Sequence, residues 1–330
     1  MLRILCIGAA IITWFLIPFG AYVRLKNAGL SCPDWPLCYG QFFPPGGFEI
    51  ALEVSHRFTA LFLGILIIVI TFVTFWEPSN YKFRKLAVAS LIIVIIQGIL
   101  GALTVTMVLW PPVVTLHLLG GNILFGIMVY LTRITFNMSN VKYKAAEDVA
   151  VSSTETKNIG QSPLIFMLAV LFIMIISGGY NSTTSSGNHC EAFPGCHEES
   201  PLSFGLSGTD VSYLSGIEGH ILAPAPTEYQ GRFLPVFTNE WIHMLHRLIA
   251  IIGGLVLILM SWFWLRKRQC YNVIGLGIVM LILVEICVGI LNAVLRVPAI
   301  VSTLHTAIAA TLTGLMFFIL ADFKLKREQL

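Results

Sequence analysis

Charge is scarce in this chain. Only 11% of its 330 residues are Asp, Glu, Lys or Arg, where a soluble globular protein carries roughly 25%. That deficit excludes an ordinary water-soluble domain. A strong excess of one sign is also missing. The formal net charge is +3, which gives no electrostatic footprint for a nucleic-acid partner. Strand-like alternation in blocks of about ten residues is absent, which excludes a transmembrane β-barrel.

What remains is apolar: 56% of the residues are hydrophobic. A spanning helix needs about 20 such residues in a row. Eight segments qualify, at roughly 4–24, 53–76, 86–109, 114–135, 162–181, 239–265, 272–295 and 299–321, with edges uncertain by about two to four residues. The first could be mistaken for a secretory signal. Its apolar run exceeds the roughly 7–15 residues of a signal core, and it is read as a span. An even number of spans puts both ends on one side. That side gathers Arg3, Lys82, Arg84, Lys85, Arg133, Lys142, Lys144, Lys157, Arg266, Lys267, Arg268, Lys324, Lys326 and Arg327, which is 14 of the 20 basic residues. The positive-inside rule then makes both termini cytoplasmic in a cell (inner) membrane.

The chain repeats itself. Residues 19–38 match 177–196 at an offset of 158, with Gly20/Gly178, Tyr22/Tyr180, Gly29/Gly187, Cys32/Cys190, Pro36/Pro194 and Cys38/Cys196 coinciding. Residues 97–117 match 285–305 at an offset of 188, with Gly101/Gly289, Leu103/Leu291, Val113/Val301, Thr115/Thr303, Leu116/Leu304 and His117/His305 coinciding. The expected fold is an all-α integral membrane protein of eight transmembrane helices, built as two tandem four-helix bundles related by a pseudo-two-fold axis. The expected divisions are 1–136, a polar cytoplasmic linker 137–161, and 162–330. The second unit carries about 32 extra residues in its outer loop, 181–238, rich in Gly, Ser, Pro and Glu.

Four histidines follow this repeat: His56 and His117, then His246 and His305. All four are expected about one turn inside the outer end of a helix. Two neutral imidazoles on facing helices can ligate one heme iron axially. The alternative, four histidines hydrogen-bonding between helices, gives no reason for two matched pairs. Arg57 and Arg247 each follow a histidine at the outer interface, where a guanidinium suits a heme propionate. Simple interfacial anchoring is the alternative.

The repeat breaks at Glu53, whose counterpart is His243. Glu53 lies three residues before His56, on one helix face with it. An acid beside one histidine pair only suggests that one site does chemistry and the other stores or relays electrons. The alternative is a first-turn Glu favoured by the helix dipole. Cys32/Cys38 and Cys190/Cys196 could each close a small outer loop or exchange electrons, and spacing does not decide between these. A Cys/His metal site with His189 and His197 is a lesser reading. Cys6, Cys270 and Cys287 read as free thiols of the core. Glu240 precedes His246 by six residues and faces elsewhere. Glu285 stands where the first half has Gln97; buried, it must be neutral or paired.

GLSCPDWPLCYGQ, EVSHR, TLHLLGG, HMLHR and STLHT together resemble the heme A synthases, over nearly the whole chain. The resemblance implies oxidation of the C8 methyl of heme O to a formyl group through a hydroxymethyl intermediate, giving heme A for cytochrome oxidases. It implies that His246 and His305 ligate a resident heme b, that His56 and His117 mark the substrate heme site, and that Glu53 is the essential carboxylate. It implies a Cys32–Cys38 disulfide, and the repeat carries this to Cys190–Cys196. Heme O synthase, an electron acceptor and a second copy of the chain are the expected partners besides the bilayer. Three other readings compete. A bis-heme b-type electron-transfer protein leaves Glu53 unexplained. A membrane thiol oxidoreductase leaves the histidines unexplained. A tandem-repeat transporter would need helices broken at mid-membrane.

Overall fold

The computed structural model describes residues 1–144, 161–190, 193–196, 237–266 and 271–328. Most of the 137–161 linker and of the 181–238 loop therefore lies outside the described residues, with His197 and Cys270. Eight long helices account for the described chain: α1 Leu2–Leu25, α2 Phe48–Trp76, α3 Arg84–Thr106, α4 Pro111–Lys144, α5 Ser162–Thr183, α6 Thr238–Met260, α7 Asn272–Val294 and α8 Ala299–Glu328. Each contains a stretch apolar and long enough to cross a bilayer.

The helices have lipid-facing and protein-facing stripes at helical spacing. On α2, Leu61, Ile65, Ile68 and Phe72 are exposed while Leu63, Ile67, Ile70 and Val73 are buried. A three- to four-residue rhythm of this kind turns one stripe inward. Several buried hydroxyls are satisfied by carbonyls one turn back, as in Thr13 to Ala9 at 2.6 Å and Thr74 to Ile70 at 2.6 Å, so these cost little in an apolar setting.

Within each half the packing follows one plan. In the first, α1 and α3 each pack on both α2 and α4; in the second, α5 and α7 each pack on both α6 and α8. The pairs α2/α4 and α6/α8 stand diagonally, with little direct packing. Across the halves, α4 packs on α8, α1 on α8 and α4 on α5. Gly126 and Gly314 occupy equivalent positions on α4 and α8. A Cβ on Gly126 would lie 2.3 Å from the Phe317 ring, and one on Gly314 would lie 2.7 Å from Phe125. Each helix thus receives the other's aromatic ring where it has no side chain, the close approach by which membrane helices pack. Arg24 on α1 hydrogen-bonds Ser182 on α5, and these two positions are equivalent under the 158-residue offset. At the other end Arg133 pairs with Asp322, which also accepts the Tyr271 hydroxyl at 2.6 Å.

The backbone repeats in unusual places as well. Asn27 and Ser185, at equivalent positions, both have φ of 56°. Val108 and Leu109 match Arg296 and Val297, all four with positive φ. A β-branched residue in the left-handed region is a costly conformation, and it recurs at Val108 and at Val297. These turns end α3 and α7, and Pro111 or Pro298 then starts the next helix, as proline does well at a helix N-terminus.

Candidate functional site

The helix starts put the histidines deeper than the sequence suggests. His56 and His246 each come eight residues after the first residue of α2 and α6, and His117 and His305 each come six residues into α4 and α8. At about 1.5 Å per residue this is roughly two turns from the helix end, not one. The depth matches between the halves. The same boundary revises the alternative for Glu53. Glu49 occupies the first turn of α2; Glu53 sits inside the helix, where the dipole argument does not reach.

His56 and His117 lie close enough to interact electrostatically, and so do His246 and His305. Each pair is carried by the diagonal helices of its half. The other diagonal faces the rings with glycine. A Cβ on Gly20 of α1 would lie 2.9 Å from Nε2 of His56, and one on Gly101 of α3 would lie 3.7 Å from Cε1 of His117. In the second half a Cβ on Gly178 of α5 would lie 2.9 Å from Cε1 of His246, and one on Gly289 of α7 would lie 3.1 Å from Cε1 of His305. Four imidazoles thus meet four bare stretches of backbone. All four rings are half-buried. The repeat alignment contains these glycines as identities; their role becomes visible only with the helices assembled.

Above each pair sits a small loop closed by a disulfide, Cys32–Cys38 with Cα atoms 4.8 Å apart and Cys190–Cys196 with Cα atoms 4.4 Å apart. An arginine holds each loop to its helix. Arg57 Nη1 donates to the carbonyls of Asp34 at 2.7 Å and Leu37 at 2.6 Å. Arg247 Nη1 donates to those of Pro194 at 3.1 Å and Gly195 at 2.6 Å. Leu37 and Gly195 are equivalent positions, so the clamp is duplicated with the fold. Both guanidinium groups, read from the sequence as propionate partners or interfacial anchors, reach the loop carbonyls in this structure.

Glu53 is buried, at 4% exposure. One carboxylate oxygen pairs with Arg57 and the other accepts the Cys32 amide at 2.9 Å. Both carboxylate oxygens are thus engaged. The carboxylate thereby ties the helix carrying His56 to the disulfide loop. In the second half His243 takes this place, and its Nε2 accepts from Arg247 Nε at 3.2 Å. Glu240 turns back to accept the Phe237 amide at 3.2 Å, away from His246 as expected.

The first loop is also shaped by Asp34, which accepts the amides of Tyr39 at 2.6 Å and Gly40 at 2.9 Å. These amides, Gly40 first, together with nearby Arg57 hold its carboxyl below the usual range. Both residues have positive φ, 53° and 71°. Beyond the first loop, Phe43, Pro44, Ile50, Val54 and Phe58 line an apolar cleft at the start of α2. Near the second loop, His189 contacts the Ser185 carbonyl at 3.0 Å and Asn239 at 3.2 Å. Among the described residues no cluster of three His, Cys, Asp or Glu is placed to hold a metal ion.

Two residues that sequence reasoning passed over touch the histidines, one in each half. Ser177 Oγ lies 3.0 Å from Nδ1 of His246, and its counterpart Phe19 stacks at a tilt on His56 with centroids 5.6 Å apart. The signal was available: Ser177 is a polar residue in an apolar helix where the other half has Phe. Glu285, noted for its burial, lies 3.2 Å from Nδ1 of His305.

Known proteins share this arrangement of sequence. The chain is 30% identical over 327 residues to the heme A synthase of Shewanella oneidensis, covering 92% of this chain and 90% of that protein. It is 24% identical over 255 residues to the heme A synthase of Bacillus pumilus, covering 76% and 71%. It is 31% identical over 182 residues to the heme A synthase of Shouchella clausii, covering 54% and 58%. The model of the COX15-CtaA family, described as cytochrome oxidase assembly protein, matches residues 3–51 and 47–317. The chain belongs to this cytochrome oxidase assembly family.

Proposed function

We propose that this protein is a heme A synthase, an integral membrane enzyme that oxidises the C8 methyl of heme O to a formyl group by way of the hydroxymethyl compound. The observation that carries this reading is the duplicated set of diagonal histidines faced by glycines. Imidazole nitrogens are suitable axial donors to heme iron. The glycines remove side-chain bulk from the two helices that flank each pair. The donor set fits a porphyrin iron in each half, and the glycines let the rings lie against bare backbone.

The break in the repeat assigns the roles. His56 and His117 hold the substrate heme, and His246 and His305 hold a resident heme b. When bound, that resident heme would carry electrons released by the methyl oxidation. Glu53 is the acid on the substrate side. As a carboxylate held by Arg57 and the Cys32 amide, it supplies fixed negative charge where positive charge would develop on the methyl carbon. Its partner groups keep it from swinging away. Arg57 and Arg247 serve their sites through the loops they hold, and a propionate at this level would share a guanidinium with those carbonyls.

The sites lie toward the outer face of the cell membrane, with the basic helix ends and both termini in the cytoplasm. Heme O synthase as donor and a membrane electron acceptor are the partners this reaction calls for, and homo-oligomers are compatible with it. Expression with a heme O source, followed by extraction and identification of the hemes, tests the reading. Wild-type protein yields heme A. Glu53→Ala retains heme b and accumulates heme O or its alcohol. Undiminished heme A from Glu53→Ala would overturn the assignment of that residue, and absence of heme A from wild type would overturn the function.

A further inference from the structure

The two histidine pairs share their residue type and differ in the side chains behind the rings. Ser177 Oγ donates its single proton to the Met174 carbonyl at 2.9 Å. The same oxygen lies 3.0 Å from Nδ1 of His246 and has only lone pairs left to offer it. With the hydroxyl proton on the Met174 carbonyl, Nδ1 of His246 carries its own hydrogen and Nε2 is the free donor atom. On the opposite helix, Nδ1 of His305 lies 3.2 Å from Oε1 of Glu285. The contact is close but not straight, since neither His305 Nδ1 nor Glu285 Oε2 makes a well-directed hydrogen bond. An imidazole whose Nδ1–H faces a hydroxyl or a carboxylate has its tautomer fixed, its ring oriented and its Nε2 made more basic.

The first half lacks both supports. Phe19 replaces Ser177 and offers His56 an aromatic edge. Gln97 replaces Glu285, and its amide lies against α4 at Gly120, where a Cβ would be 2.0 Å from Nε2 of Gln97. Among the described residues, only backbone carbonyls stand behind the first pair, that of Leu16 near His56 and that of Gln97 near His117, with no side-chain hydroxyl or carboxylate.

We infer that Ser177 and Glu285 are positioning residues that make the His246/His305 site retentive, while Phe19 and Gln97 leave the His56/His117 site able to release its heme. This rests on the proposed function and deepens it: the same ligand pair is a permanent mount in one half and an exchange site in the other because of what stands behind each ring. A substrate that must enter and a product that must leave require the second behaviour. A resident cofactor requires the first.

The test is retention and potential of heme b in the purified full-length protein. Loss of such supporting partners typically costs 10- to 100-fold in metal affinity. Ser177→Ala with Glu285→Gln should lose heme b to excess apomyoglobin at least tenfold faster than wild type. Glu285→Gln alone should raise the midpoint potential, because a carboxylate behind the ligand favours the ferric state. A tenfold shift in the ferric-to-ferrous ratio corresponds to about 59 mV for one electron. The reverse change, Phe19→Ser with Gln97→Glu, should slow heme A release. Heme b loss at the wild-type rate with unchanged potential would overturn the inference. The functional reading fails separately, if wild-type protein holds no heme that His246→Ala removes.

Discussion

Alanine at the four facing glycines should produce graded damage, because the four clearances differ. Ordinary contact begins near 3.4 Å. A methyl at Gly20 or Gly178 would meet an imidazole at 2.9 Å, at Gly289 at 3.1 Å, and at Gly101 at 3.7 Å. The ring opposite Gly178 must retreat by about half an ångström, and in doing so it loses its 3.0 Å contact with Ser177. Overpacking of this size costs about 1–3 kcal/mol, or roughly 5- to 150-fold in occupancy at tenfold per 1.4 kcal/mol. Against that, Gly to Ala in a helix returns about 0.5–1 kcal/mol. The expected order is therefore clear. Gly178→Ala loses most of its heme b and Gly289→Ala a smaller share. Gly101→Ala is neutral or slightly stabilising. Gly20→Ala keeps heme b and loses heme A production. Heme b per protein is read by pyridine hemochrome, and folding by thermal unfolding in detergent. Full heme b in Gly178→Ala, or Gly101→Ala as damaging as Gly20→Ala, would refute the claim that these glycines make room for the rings.

Arg57→Ala should destabilise more than Arg247→Ala. The first leaves the buried Glu53 carboxylate without its cation, a loss of about 3–5 kcal/mol, whereas the second leaves His243 and two carbonyls, a loss of about 1–3 kcal/mol. Equal shifts in thermal midpoint would refute the clamp as described. The first disulfide loop should loosen in acid. Because the Asp34 carboxyl is held below its ordinary value of 3.8, its contribution is complete above that value and is lost as pH falls through the lower folded one. Hydrogen exchange at Tyr39 and Gly40 should accelerate in that acid range, and Asp34→Asn should exchange fast at every pH. An acid step that survives Asp34→Asn would rule this out. His305→Ala should deplete heme b from the purified protein, and an unchanged reduced spectrum would count against it as a ligand.

The spans, the duplication and the cysteine pairs were legible because each rests on identity or composition along the chain. Hydrophobic runs report helices whatever their partners, and the shared Cys32/Cys190 and His117/His305 positions stand out in an ungapped alignment. The arginine clamps were not legible. A guanidinium beside a histidine says nothing about whether it turns toward a ligand or toward carbonyls some twenty or fifty residues away in sequence. The start of α2 at Phe48 was missed because Glu49 and the flanking Gly46-Gly47 interrupt the apolar run. Ser177 and Phe19 went unread for a different reason. A repeat is found by its matches, and these two positions inform by failing to match.

Arg24 and Ser182 draw a further consequence from the fold. They are the same position of the repeat, and they touch each other. In a symmetric pair of separate, identical chains, a residue on the axis meets its own copy. Arginine would face arginine there, or serine would face serine. A fused chain is released from that rule and can place a donor opposite an acceptor. The same release reaches the histidine pairs: two subunits from one gene must surround them alike, whereas one continuous polypeptide can give each pair its own neighbours. Covalent linkage of the halves is thus what allows Glu53 in one half to stand where the other has His243, and Phe19 where the other has Ser177.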